Sequence, residues 1–168
     1  MKEKSISSGK AYRDLIAAYV AHNYADRGIE VYTEIPFGKS IIAKDRKVDV
    51  LVLTKKTAFA IECKTQTSQG TADEKLVYSL QDLGAMGIPG AIVYAGEGFS
   101  PGIVQMLRAH PSAAYCDPDP RTLERDKTRT LELDVLLAQA FSWWDMFKIP
   151  ARLFSLDEWL AQRDESGD

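Results

Sequence analysis

Two runs, Lys47 to Leu53 (KVDVLVL) and Thr57 to Lys64 (TAFAIECK), decide how this chain folds. Each is rich in β-branched and apolar residues and too short for a helix, and only Thr54, Lys55 and Lys56 separate them, so they read as an antiparallel hairpin. Strand alternation places Asp49, Leu51 and Leu53 on one face of the first run, and Ala58, Ala60, Glu62 and Lys64 on one face of the second. A two-residue turn at Lys55 and Lys56 pairs Leu53 with Ala58, Leu51 with Ala60, Asp49 with Glu62, and Lys47 with Lys64. Lys-Lys is not a favoured turn pair, so the loop itself stays open. A loop changed by two residues keeps the same faces together.

That register sets two carboxylates opposite each other on one sheet face, where like charges destabilise pairing. Either one takes a proton or a cation sits between them. Ala58 and Ala60 leave room above the sheet, and Lys64 adds an ammonium to the same spot. Oxygen ligands with open positions suit Mg²⁺ or Mn²⁺. Such an ion activates water and neutralises a scissile phosphate. The competing reading of Glu62 and Lys64 is a solvated charge pair worth little. Asp49, rising beside them from an apolar hairpin, favours the site.

Working outward, Tyr12, Leu15, Ile16, Tyr19, Val20 and Asn23 share one helical face after Ser7 and Ser8, and the helix ends near Gly28. Ile29 to Ile35 reads as a strand, Pro36 to Ser40 as a turn, and Ile41 to Ala43 as a short edge segment. Beyond the hairpin, Ala72 to Met86 reads as a helix, Ala91 to Ala95 as a buried strand, Pro101 to His110 as a helix, and Ala113 to Cys116 as a last short strand. Asp117 to Thr130 is a charged loop, Leu131 to Phe147 a helix, and Ser155 with Glu158 a capping box for a helix through Arg163. The order α, β, β, β, α, β, α, β gives an α/β fold, a mixed sheet flanked by helices. One domain over 1–168 is expected, with its core at about 9–116 and a helical part at about 131–163.

Val48-Asp49 followed by Ile61-Glu62-Cys63-Lys64 resembles the motif of the PD-(D/E)XK nuclease superfamily, and the helix, three-strand, helix, strand order resembles its restriction-endonuclease-like core. Lys64-Thr65-Gln66 and Gly70 to Tyr78 (GTADEKLVY) are similar to stretches of type II restriction enzymes. The resemblance implies a Mg²⁺-dependent deoxyribonuclease. In it Asp49, Glu62 and the Cys63 backbone carbonyl are metal ligands and Lys64 is the catalytic lysine. Val48 stands where the motif has proline. An acid from the first helix is often added in this family. Asp14 is the nearest candidate, although it lies opposite the apolar stripe, and Glu34 competes with it. Gln66 continues the strand parity of Glu62 and Lys64, and Lys47 and Lys75 are candidate DNA contacts. A Holliday-junction resolvase or DNA-repair nuclease is the alternative within the fold. A non-catalytic DNA-binding or interaction module on the same fold is the alternative of another class.

The 168 residues are 45% apolar and 27% charged, which suits a globular protein with its own core. The net charge of −3 excludes indiscriminate coating of DNA but hides a local surplus: Lys39, Lys44, Arg46, Lys47, Lys55, Lys56 and Lys64 cluster on the hairpin and its approach. Cys63 and Cys116 lack metal-ligand spacing. The polar start and the lack of a long apolar run lead to an expected cytoplasmic protein with no membrane segment. One active site per chain means that cutting both strands takes a homodimer or two nicks. Phe141, Trp143, Trp144 and Phe147 are the apolar residues expected to serve such a dimer.

Overall fold

The fold was analysed in a computed structural model, which describes residues 8–67, 73–147 and 153–164. Five strands form one sheet in the order β1-β2-β3-β4-β5: β1 Glu30–Lys39, β2 Asp45–Leu53, β3 Ala58–Thr65, β4 Gly90–Ala95 and β5 Ala113–Tyr115. The first three are antiparallel neighbours, and β4 and β5 run parallel to β3, which makes the sheet mixed. The helices are α1 Gly9–Tyr24, α2 Asp73–Gly84, α3 Pro101–Ala109, α4 Leu131–Phe141 and α5 Leu156–Asp164.

α1 starts where the Ser8 hydroxyl accepts the Ala11 N–H, a cap that satisfies one orphan donor. Its stripe of Tyr12, Ile16, Tyr19 and Val20 is buried against Val50, Val52, Phe59, Ile61 and Val93 of the sheet, together with Leu133 and Leu137 of α4. Each such side chain contributes about 1.5–3 kcal/mol. The opposite face buries Ile92 and Tyr94 beneath Leu76 of α2 and Ile103 and Leu107 of α3. A buried carboxylate ties α4 to α1. Asp134 accepts the hydroxyls of Tyr19 (2.6 Å) and Tyr24, and pairs with Arg125 at 3.3 Å.

From the turn as far as Val50 and Ile61 the hairpin register is as read; the expected pairs of Asp49 with Glu62 and Lys47 with Lys64 are not part of the observed ladder, because the Cys63 N–H bonds the Asp49 side chain instead. Leu53 pairs with Ala58, Leu51 with Ala60, and Val50 with Ile61. The Thr54 hydroxyl accepts the Thr57 N–H (3.1 Å) while the Thr54 N–H donates to the Thr57 carbonyl (2.9 Å). Thr54 thus closes the two-residue turn, and a side-chain hydrogen bond does the work that a glycine would otherwise do.

Three boundaries differ from the sequence reading. Pro36 to Ser40 is not a turn: β1 continues to Lys39, with Pro36 opposite Lys47. Proline is tolerated there because β1 is an edge strand. Ile41 to Ala43 is not an edge strand but the turn itself, closed by Ser40 N–H to the Lys44 carbonyl at 2.8 Å. The helix from Leu131 stops at Phe141, where Ser142 takes a left-handed φ of +59° and a 3-10 turn, Trp144–Met146, follows. Trp143 is buried and stacked on Tyr24 and Phe141, while Trp144 is exposed. Most of the apolar surface expected to serve a dimer therefore packs within the chain. α5 is capped as read, the Ser155 hydroxyl accepting the Glu158 N–H. No helix among the described residues is long and apolar enough to cross a membrane.

Candidate active site

The site forms where the hairpin opens. The Thr54–Thr57 bond fixes which residues exchange backbone hydrogen bonds along β2 and β3: 52 with 59, 50 with 61, and next 48 with 63. That last pair does not form. The Cys63 N–H donates instead to Asp49 Oδ2 at 2.8 Å. The Asp49 side chain thus takes the place of a ladder carbonyl and is held by a backbone donor. N–H and C=O of an extended residue project to the same side, so the Cys63 carbonyl also points towards β2. The Cys63 thiol lies in the core on the other face.

β1 is irregular at the same level. Thr33 opposes Val50 and Ile35 opposes Val48, which sets Glu34 across from Asp49, yet Glu34 has a φ of +54°. A left-handed glutamate in a strand is strained. Val48 and Ile35 then pack with Leu51 and Ala60 instead of following Val50 and Val52, so the faces exchange around Asp49.

Glu62 lies beside this opening, with its side chain 18% exposed and Lys64 Nζ 3.6 Å from its Oε2. Burial first, and then the charge of Asp49, push the Glu62 carboxyl up to about 7, against the pull of Lys64. A carboxylate so short of water and so close to a second acid is poised to accept a proton or a cation. The donor chemistry, two carboxylates and a backbone carbonyl on neighbouring strands, is of the kind a hard divalent ion takes. Among the described residues no group of three or more His, Cys, Asp or Glu side chains could hold a metal, so any ion here would rely on backbone and water for its remaining ligands.

A scan against family models matches residues 8–144 to the PD-(D/E)XK nuclease superfamily domain.

The chain belongs to the PD-(D/E)XK nuclease superfamily.

The match spans α1 through α4, and the mixed five-stranded sheet flanked by helices is the restriction-endonuclease-like fold of that superfamily. A search of curated proteins finds no match. Among solved structures, one described as "Protein of Unknown Function AF1548" aligns with a TM-score of 0.39 at 18% identity, covering 57% of this chain and 53% of that one.

The other residues singled out in the sequence are placed as follows. Asp14 is exposed on α1 and paired with Arg13 at 2.7 Å. Glu34 pairs with the same Arg13 at 3.0 Å. Gln66 Nε2 donates to the Gly98 carbonyl (3.0 Å), and the Gly98 N–H donates to the Gln66 carbonyl (2.8 Å), so Gln66 ties the end of β3 to the loop after β4. Lys47 is exposed on β2 and lines a cavity beside Glu62. Lys75 is exposed in the first turn of α2. Part of the stretch Gly70 to Tyr78, residues 70–72, lies outside the described residues.

Two arginine ion pairs are not legible in the sequence, where Arg46 counts only towards the positive surplus on the hairpin. Arg13 is buried at the edge of the α1 stripe and joins α1 to the strained Glu34. Arg46 is buried and grips Asp82 of α2 with two bonds of 2.7 Å. Its signal was parity: Arg46 is in phase with Val48, Val50 and Val52, and a charge in phase with a buried run needs a buried partner.

Proposed function

We propose that the protein is a metal-dependent endonuclease that hydrolyses DNA phosphodiester bonds at the Asp49–Glu62–Lys64 site. The observation that carries this is the paired carboxylates at the opened hairpin, with Glu62 held near 7 by burial and by Asp49, and Lys64 at its side. Asp49, Glu62 and the Cys63 carbonyl would hold Mg²⁺ or Mn²⁺. When bound, such an ion supplies water activation and charge neutralisation at the scissile phosphate.

The rest falls to the chain. The Cys63 N–H fixes the Asp49 carboxylate, so its free oxygen is presented without a rotamer search. Glu62 would hold a cation as the carboxylate, so ion affinity should rise with pH up to about 7. Lys64 orients the attacking water or stabilises charge developing on the phosphate oxygens. Water attacks phosphorus in line and the P–O bond to the leaving strand breaks, leaving one new phosphate end and one hydroxyl. With one such site per chain, a homodimer or two separate nicks would sever a duplex.

Incubation with supercoiled, linear, branched and single-stranded DNA in Mg²⁺, with and without chelator, tests the proposal. Metal-dependent hydrolysis of at least one substrate is expected. DNA binding without hydrolysis of any of them would mean a binding module on a nuclease fold.

A further inference from the structure

The turn between β1 and β2 shows solvent two large apolar side chains, Ile41 at 48% and Ile42 at 55% exposure. The turn is nonetheless fixed. Ser40 N–H donates to the Lys44 carbonyl (2.8 Å), Ala43 N–H to the Ser40 carbonyl (2.9 Å), and Ile41 N–H to Asp82 Oδ1 (2.8 Å). Asp82 is itself clamped by Arg46, and Ala43 holds a strained φ of +61°. A rigid, strained turn that displays isoleucines calls for an apolar occupant.

Ile42 stands on the wall of a cavity of about 340 Å³, which Leu83 of α2 and Met86 just after it continue and Glu62 enters from β3. That volume lies at the low end of ligand sites, the scale of a single nucleotide. Lys44 and Lys47 are also on the lining, and neither makes an ion pair among the described residues. The other charges on the lining are paired, Asp45 with Lys39 and Asp82 with Arg46, so the apolar residues Ile42, Leu83 and Met86, the cations Lys44 and Lys47 and the adjoining carboxylate of Glu62 are left to match one ligand chemistry: a base flanked by phosphates.

We propose that the Ser40–Lys44 turn is a wedge that holds one nucleotide of the substrate out of its stack beside the scissile phosphate. The base lies against Ile42 in the cavity, and the neighbouring phosphates meet Lys44 and Lys47. The proposal rests on the nuclease reading and adds a substrate class to it: DNA with an unpaired nucleotide near the cut. Isoleucine is a known wedge between base steps, and unstacking is least costly where a base is already unpaired.

The test is binding of two oligonucleotide duplexes of the same sequence, one fully paired and one with a single unpaired nucleotide. The Lys64→Ala protein is used so that cleavage is slow compared with the binding measurement. The unpaired duplex should bind about tenfold tighter. Adding Ile41→Ser and Ile42→Ser, both at exposed positions, should bring the ratio near one with unchanged circular dichroism. Lys44→Ala should instead weaken both duplexes alike and flatten the salt dependence. Equal affinities in the parent, or a ratio that the serine substitutions leave intact, would overturn the wedge. Discrimination in binding, together with no hydrolysis by the unsubstituted protein, would overturn only the nuclease reading.

Discussion

Glu62→Gln should make the metal-free protein more stable, and more so at high pH. The folded protein holds the Glu62 carboxyl at about 7 against an ordinary value of 4.5, so it binds that proton more tightly than the unfolded chain does. Below the ordinary value neither state is ionised and nothing is lost. As pH rises the unfolded chain releases its proton first, and stability falls until the folded carboxyl ionises too, near 7. At about 1.4 kcal/mol per pH unit of difference the penalty is under ~1 kcal/mol at pH 5 and ~3 kcal/mol at pH 8. Gln keeps the shape without the charge and removes the penalty. For a chain of this size that is a Tm gain of roughly 6–12 °C at pH 8 and only a few degrees at pH 5. Calorimetric melts in chelator at both pH values measure it. Mg²⁺ should raise the Tm of the parent at pH 8 and have little effect on Glu62→Gln. An equal Tm difference at both pH values, or a loss at pH 8, would refute the reasoning.

Other expectations concern separate parts of the molecule. Lys64→Ala should lower the cleavage rate on the order of 10²–10³-fold with unchanged DNA affinity, read by single-turnover kinetics and anisotropy. Asp134→Ala strips two buried tyrosine hydroxyls of their acceptor and should cost about 3–5 kcal/mol in urea unfolding. Gly96→Ala puts a Cβ 2.3 Å from the Gln66 carbonyl oxygen at a φ of +106°, so a loss of at least about 2 kcal/mol is expected, with reduced cleavage because the end of β3 shifts.

The hairpin was legible from its turn to Val50 and Ile61, because period-2 alternation and a short loop leave few registers and the pairs in that stretch are the ones the turn dictates. The opening at Asp49 was not. It depends on a side chain replacing a backbone acceptor at Cys63 and on left-handed Glu34, and neither has a pattern in sequence. Pro36 read as a turn because proline usually ends a strand, and only its edge position permits otherwise. The Leu131 helix ran too long in the reading because Phe141, Trp143 and Phe147 continue an apolar pattern. Those rings instead pack through a break at Ser142. Arg46 and Asp82 come from elements 36 residues apart, so their pairing required the fold.

The most direct test of the central claim is the rate of plasmid nicking in Mg²⁺ by the parent protein and by Asp49→Asn, Glu62→Gln and Lys64→Ala, each shown to be folded. The account predicts nicking by the parent that chelator abolishes and that each substitution reduces at least a hundredfold. Nicking at the parental rate by any of the three would contradict it.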